Sequence, residues 1–133
     1  MDALSTLLAE LLDVAEQPEG WDGHDARRPS KTALIGAHRV LMEASRHTPL
    51  PVQVVPDVMG GVAFYWYGTE RTSGGGHRLA ASLKVDNDGD LFVSLVDRVT
   101  REVDVSEVSA AGLTTAFDRM MAFLGPAEAR AAS

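Results

Sequence analysis

Three short stretches of this chain gather residue types that could do chemistry. In Trp21-Asp22-Gly23-His24-Asp25 one imidazole and two carboxylates stand close together, an acceptable nitrogen and oxygen set for a divalent metal. Proximity along a chain does not orient ligands, and a metal site also needs partners that hold them. The plainer expectation is a structural loop, with the Trp21 ring laid over the neighbouring helices and Asp22 accepting hydrogen bonds from nearby backbone N–H groups. Gly74-Gly75-Gly76-His77-Arg78 could offer backbone N–H groups and a cation to an anionic ligand. It lacks the Lys-Ser/Thr ending of a phosphate-binding loop and leads into a strand-like alternation, so a flexible hairpin loop is the simpler reading. Asp86, Asp88, Asp90, Phe92, Ser94 and Asp97 follow the spacing of an EF-hand calcium loop. That pattern has Leu91 where the sharp turn needs glycine, Asp97 where a bidentate Glu is usual, and no helix before Asp86. A β-hairpin explains the same residues better.

The remaining candidates are few. His38 and His47 are nine positions apart, on opposite sides of a regular helix, and His38 lies beside an apolar stripe as a packed residue would. Nucleophile elbows, zinc-protease motifs and dinucleotide fingerprints are all missing. With no cysteine, disulfides, thiolate metal sites and thiol nucleophiles are excluded together. No catalytic residue, metal or cofactor is therefore assigned. An alternative keeps Trp21, Asp22, His24 and Asp25 together with His77 and Arg78 as one site of a small enzyme or a binder of metals or anions.

The elements that must carry these residues are readable from periodicity. Leu4, Leu7, Leu8, Leu11 and Leu12 share one stripe of a helix that Pro18 and Gly20 end. Pro29-Ser30 is an N-cap signal, and Leu34, Ala37, His38, Leu41 and Met42 continue as a second stripe to about Arg46, with Gly36 weakening it. From Pro49 the period becomes two. Val52 to Val55 reads as an edge strand closed by Pro56, and Val62 to Tyr67 as a strand apolar on both faces. Leu79 to Val85 and Leu91 to Val96 flank the turn Asp86-Asn87-Asp88-Gly89-Asp90. If Val85 opposes Leu91, then Leu83 opposes Val93 and Ala81 opposes Leu95, so apolar residues meet throughout. A turn at Asp97 to Thr100 returns the chain as Arg101 to Val105, an edge strand. Ser106 is read as the N-cap of a last helix bearing Leu113, Ala116, Phe117, Met120, Met121 and Leu124, stopped by Gly125-Pro126.

Gly20-Trp21-Asp22-Gly23 with Ala26 and Pro29, followed by Pro56-Asp57, Gly60-Gly61-Val62 and Trp66, resembles a dispersed group of small uncharacterised bacterial and phage-associated proteins. In these a Trp-Asp-Gly loop joins the first two helices and a Gly-rich turn leads into a strand ending in Trp. The likeness covers roughly residues 4 to 95 and implies no activity, so no residue role follows from it.

The chain of 133 residues is long enough for one core and too short for two. The expected fold is a two-layer α+β sandwich in the order α-α-β-β-β-β-(β)-α, an antiparallel sheet of four to five strands with helices on one face. It is assigned to residues 1–126, with 127–133 a frayed tail. A net charge of −7 repels phosphate backbones, so nucleic acid is not an expected partner. Neither a positive leader nor a run of some 18 apolar residues is present, so a cytoplasmic location without a membrane partner is expected.

One set of sheet residues, Val62, Phe64, Trp66, Leu79, Ala81, Leu83, Val85, Leu91, Val93 and Leu95, is the core face. The opposite set includes Ala63, Tyr65, Tyr67, Ala80, Ser82, Lys84, Phe92, Ser94 and Val96, too apolar for a plain solvent face. Tyr65, Tyr67, Phe92 and Val96 are accordingly the expected partner-binding residues. The functional expectation is a non-enzymatic protein-interaction module, a homodimer or a binder of another protein, in the manner of an antitoxin, immunity protein or chaperone.

Overall fold

A computed structural model describes residues 2–47 and 49–125. The expected tail at 127–133, together with Pro126, lies outside the described residues. The element order is α1 (Ala3–Ala15), α2 (Lys31–His47), β1 (Gln53–Pro56), β2 (Val62–Tyr67), β3 (Leu79–Val85), β4 (Leu91–Asp97), β5 (Glu102–Val108), a 3-10 turn at Ala110–Gly112 and α3 (Leu113–Leu124). The five strands form one antiparallel meander, β1-β2-β3-β4-β5, so this is an α+β fold with every connection within the sheet a hairpin.

The first two helices start where a side chain can satisfy the free N–H groups of the first turn. The Asp2 carboxylate accepts from Ser5 N–H at 2.7 Å. Ser30 Oγ accepts from Ala33 N–H at 3.0 Å and donates to the Asn87 carbonyl at 2.7 Å, so a single hydroxyl caps α2 and ties it to the β3–β4 turn. The helical faces differ from the expected stripes by a small rotation. In α1 the buried residues are Leu7, Leu11 and Val14, while Leu12 is 66% exposed. In α2 they are Ala33, Ala37, Val40, Leu41 and Ala44, and His38 is exposed rather than packed. The small residues on α2 let it approach the sheet closely. A Cβ built on Gly36 would stand 2.8 Å from Val85 Cγ1, so the glycine that weakens the helix is what allows this contact.

The β3–β4 hairpin has the expected register, Val85 with Leu91, Leu83 with Val93 and Ala81 with Leu95. Asp86 Oδ1 holds its turn by accepting from the N–H groups of Asp88 and Asp90. β5 runs three residues beyond its expected end at Val105, through Ser106 to Val108. Ser106 therefore sits in the ladder opposite Val93, and Ser109 caps the 3-10 turn that leads into α3, its Oγ accepting from Gly112 N–H at 3.1 Å. Ladder hydrogen bonds outcompete an equally competent serine three positions earlier.

All three helices pack on one face of the sheet. Leu7, Leu11, Ala37, Leu41, Phe117 and Met120 join Phe64, Trp66, Leu83, Val85 and Val93 in one buried cluster. Trp66 is fixed within it, its ring 6.2 Å from that of Phe117 and its indole N–H donated to the Pro49 carbonyl at 2.8 Å. Among the described residues no helix is long and apolar enough to cross a membrane.

Candidate functional site

Among the described residues no helix lies over the second face of the sheet, and strand pairing sorts it into rows. Val55, Ala63, Lys84, Phe92 and Glu107 form one row across the five strands; Gln53, Tyr65, Ser82, Ser94 and Val105 form the next. Tyr67, Ala80, Val96 and Val103 complete a third. Tyr65, Tyr67, Phe92 and Val96, the expected partner-binding residues, thus share this face, and each is only half-buried. Tyr65 and Tyr67 stack on one another with centroids 6.4 Å apart. Between Tyr65, Phe92 and Val105 the small side chains of Ala63, Ser82 and Ser94 floor a shallow depression of about 450 Å³.

Val103 and Val105 belong to this face and are its most exposed large apolar members, at 63% and 58%. They were not expected there, because the last strand read as a charged edge. The signal was present in the alternation Val103, Val105, Glu107, which continues β5 past Ser106.

His77 adds to one end of the same face. Its ring stacks on Tyr67 at 4.7 Å, extending the tyrosine pair into a three-ring ladder. Nδ1 lies 2.7 Å from the Gly68 carbonyl, which can only accept, so Nδ1 carries the hydrogen and Nε2 bears the lone pair of the neutral ring. Arg78 is held by carboxylates, donating to Glu70 at 3.1 Å and, from Nη2 and Nε, to Asp97 at 3.0 and 3.2 Å. The guanidinium hydrogen bonds pull the Asp97 carboxyl down to about 2, helped by the N–H groups of Thr100 and Val99, and the same carboxylates raise Arg78. A cation paired twice attracts a further anion weakly. The glycine loop before it is closed by its own backbone, Thr72 N–H to the Gly76 carbonyl and Gly75 N–H to the Thr72 carbonyl, and is an ordered turn rather than a loose hairpin loop.

The Trp21 loop is elsewhere. Arg27 N–H donates to the Val58 carbonyl and Ser30 N–H to the Gly60 carbonyl, which docks the segment after Trp21 on the β1–β2 turn. His77 and Arg78 lie in the β2–β3 connection, at the other end of strands roughly 20 Å long. Trp21 to Asp25 and His77-Arg78 therefore do not form one site. Within the loop, Asp22 Oδ1 accepts from His24 N–H at 2.9 Å and Ala26 N–H at 3.2 Å, and the first of these bonds keeps its carboxyl below the usual range. Trp21 Nε1 donates to the Arg27 carbonyl at 3.0 Å. Asp22 thus plays the structural role expected of it. Among the described residues no three His, Asp or Glu side chains are placed to hold a metal ion.

No family model, curated protein or solved structure matches the chain.

Proposed function

We propose that this chain is a non-enzymatic protein-interaction module that works through the open face of its sheet, binding another protein or a second copy of itself. The observation that carries the reading is the set of half-buried aromatics beside exposed valines on one face, Tyr65, Tyr67 and Phe92 with Val103 and Val105, with no helix over them among the described residues. A contiguous apolar face of this kind marks association more often than isolated surface apolars do. The acidic balance, −7 overall, favours protein partners over nucleic acid. Small acidic proteins that work by occupying a partner, such as antitoxins, immunity proteins and chaperones, are the functional class this combination suits.

A photo-crosslinking amino acid placed singly at Tyr65 and at Phe92 tests the reading in the cells that make the protein. Adducts of defined mass are expected at these two positions and not at Ile35 or Asp118, which are exposed on the helical side. Equal yields at all four positions, or none anywhere, would overturn it. A rise in Tm with a divalent metal or a phosphorylated metabolite would instead favour ligand chemistry.

A further inference from the structure

We infer that the occupant of the open face is a second copy of this chain, docked face to face about a two-fold axis along β4, so that β3 of each protomer lies over β5 of its partner. The inference rests on the proposed role of that face and supplies its geometry. β3 and β5 flank β4 and run in the same direction, both antiparallel to it. A two-fold rotation about β4 therefore exchanges their sides without reversing their direction. Each residue of β3 meets the partner residue of the same row.

The rows match in size and in charge. Ala80 faces the partner's Val103, Ser82 faces the partner's Val105, and Lys84 faces the partner's Glu107. Two of these pairs set an accessible valine over a small floor residue, which fills the depression under Tyr65 and Phe92. The third sets a cation over an anion. Within one protomer Lys84 and Glu107 are two strands apart, about 9.6 Å, with Phe92 between them, and among the described residues neither forms an ion pair. On the axis itself β4 meets β4, so Phe92 packs on the partner's Phe92.

A two-fold axis across the strands lacks this match. It lays each strand on its own copy in reverse, with Lys84 over the partner's Ala80 and Glu107 over the partner's Val103, so no unlike charges meet. Sheet twist rotates the two layers by about 30°, which keeps the match best near the central row of Ser82, Ser94 and Val105. The strip shared by the two protomers is β3, β4 and β5, with Tyr65 and Tyr67 of β2 at its rim; three strands about 4.8 Å apart and seven residues of about 3.3 Å each give roughly 330 Å². That is well below the ~800 Å² per partner of a standard stable interface, so the dimer is expected to be weak and to dissociate toward the upper micromolar range.

Charge exchange between chains tests the axis. Sedimentation of the full chain across the micromolar range should show a monomer–dimer equilibrium. K84E alone and E107K alone should each weaken it by about tenfold or more, because each dimer then holds two like-charge contacts. The double variant K84E/E107K should dimerise like the native chain. Mixing the K84E chain with the E107K chain should produce heterodimers in preference to either homodimer, since both crossed contacts then become unlike pairs. Circular dichroism and Tm of each variant alone show that the fold is intact. Unchanged affinity in the single variants, or no preference for the mixed dimer, overturns the axis. A chain that stays monomeric while Tyr65 and Phe92 form adducts with a different polypeptide overturns the second copy and leaves the face reading standing. Absence of both association and adducts removes both.

Discussion

The helix-covered face and the open face of the sheet are built from the same strands and the same alternation, yet they differ in how their residues are used. Phe64 and Phe92 make the contrast concrete. Phe64 is fully buried among Trp66, Leu83 and the helices, whereas Phe92 lies half-buried between Lys84 and Glu107. The covered face fills its volume with large side chains and tolerates little change. The open face alternates small floor residues with prominent aromatics and valines, a relief that suits contact with another surface. Hydrophobic content alone does not distinguish the two; the presence of helices over one and small residues in the other does.

Truncation should separate the faces most strongly. Phe64→Ala is expected to cost about 3–5 kcal/mol of folding stability, because it opens a cavity in a close-packed core. Phe92→Ala should cost about 1 kcal/mol, as roughly half of the ring's burial is at stake. Urea unfolding at a concentration where the chain is monomeric measures both; equal losses would erase the distinction between the faces. Added volume gives the next largest effect. A Cβ at Gly61 would lie 2.4 Å from the Val85 carbonyl oxygen, a backbone atom that cannot turn aside, so Gly61→Ala should cost about 1–3 kcal/mol. At Gly36 the obstacle is a Val85 methyl, and alanine returns about 1 kcal/mol of helix propensity, so Gly36→Ala should cost less than Gly61→Ala. Ser82→Val on the open face should stay within about 0.5 kcal/mol, with β-branching in its favour. Midpoints from the same unfolding series rank the three.

Much of this architecture was legible because period and turn chemistry agree. Asp86 to Asp90 lies between two matched alternations, and one register places Ala81, Leu83 and Val85 with Leu95, Val93 and Leu91 on the same side. The helical faces were less legible: Leu11 and Leu12, or Ala37 and His38, stand about 100° apart within one broad apolar stripe, and only the sheet they meet decides which part of the stripe turns inward. The end of β5 was misread because Ser106 and Ser109 offer the same capping oxygen, and pairing with β4 selects between them. The open face could be drawn up to Val96 from alternation, but Val103 and Val105 were obscured by the charges of their own strand. The separation of His77 from Trp21 needed the docking of Arg27 and Ser30 on the β1–β2 turn, a long-range contact with no local pattern.

The smallest expected effect concerns the rim where the two faces meet, at Arg78 and Asp97. Asp97 has a carboxyl held at about 2 by Arg78, against roughly 3.9 for an unperturbed aspartate. A depressed folded value stabilises the native state above the unfolded value, and that contribution is lost as pH falls through about 2. Urea midpoints followed downward from about pH 5 should therefore fall for the native chain between roughly pH 4 and 2. Asp97→Asn should lower the midpoint at neutral pH and flatten that limb, because the protonation that drives it has been removed. Asp104, exposed and paired with the exposed Arg119, should give a smaller change when replaced by Asn, since water screens an open ion pair. Parallel acid limbs in Asp97→Asn and the native chain would mean that the turn N–H groups of Val99 and Thr100, rather than the Arg78 pair, secure this rim, and neutral Asn can still accept from them.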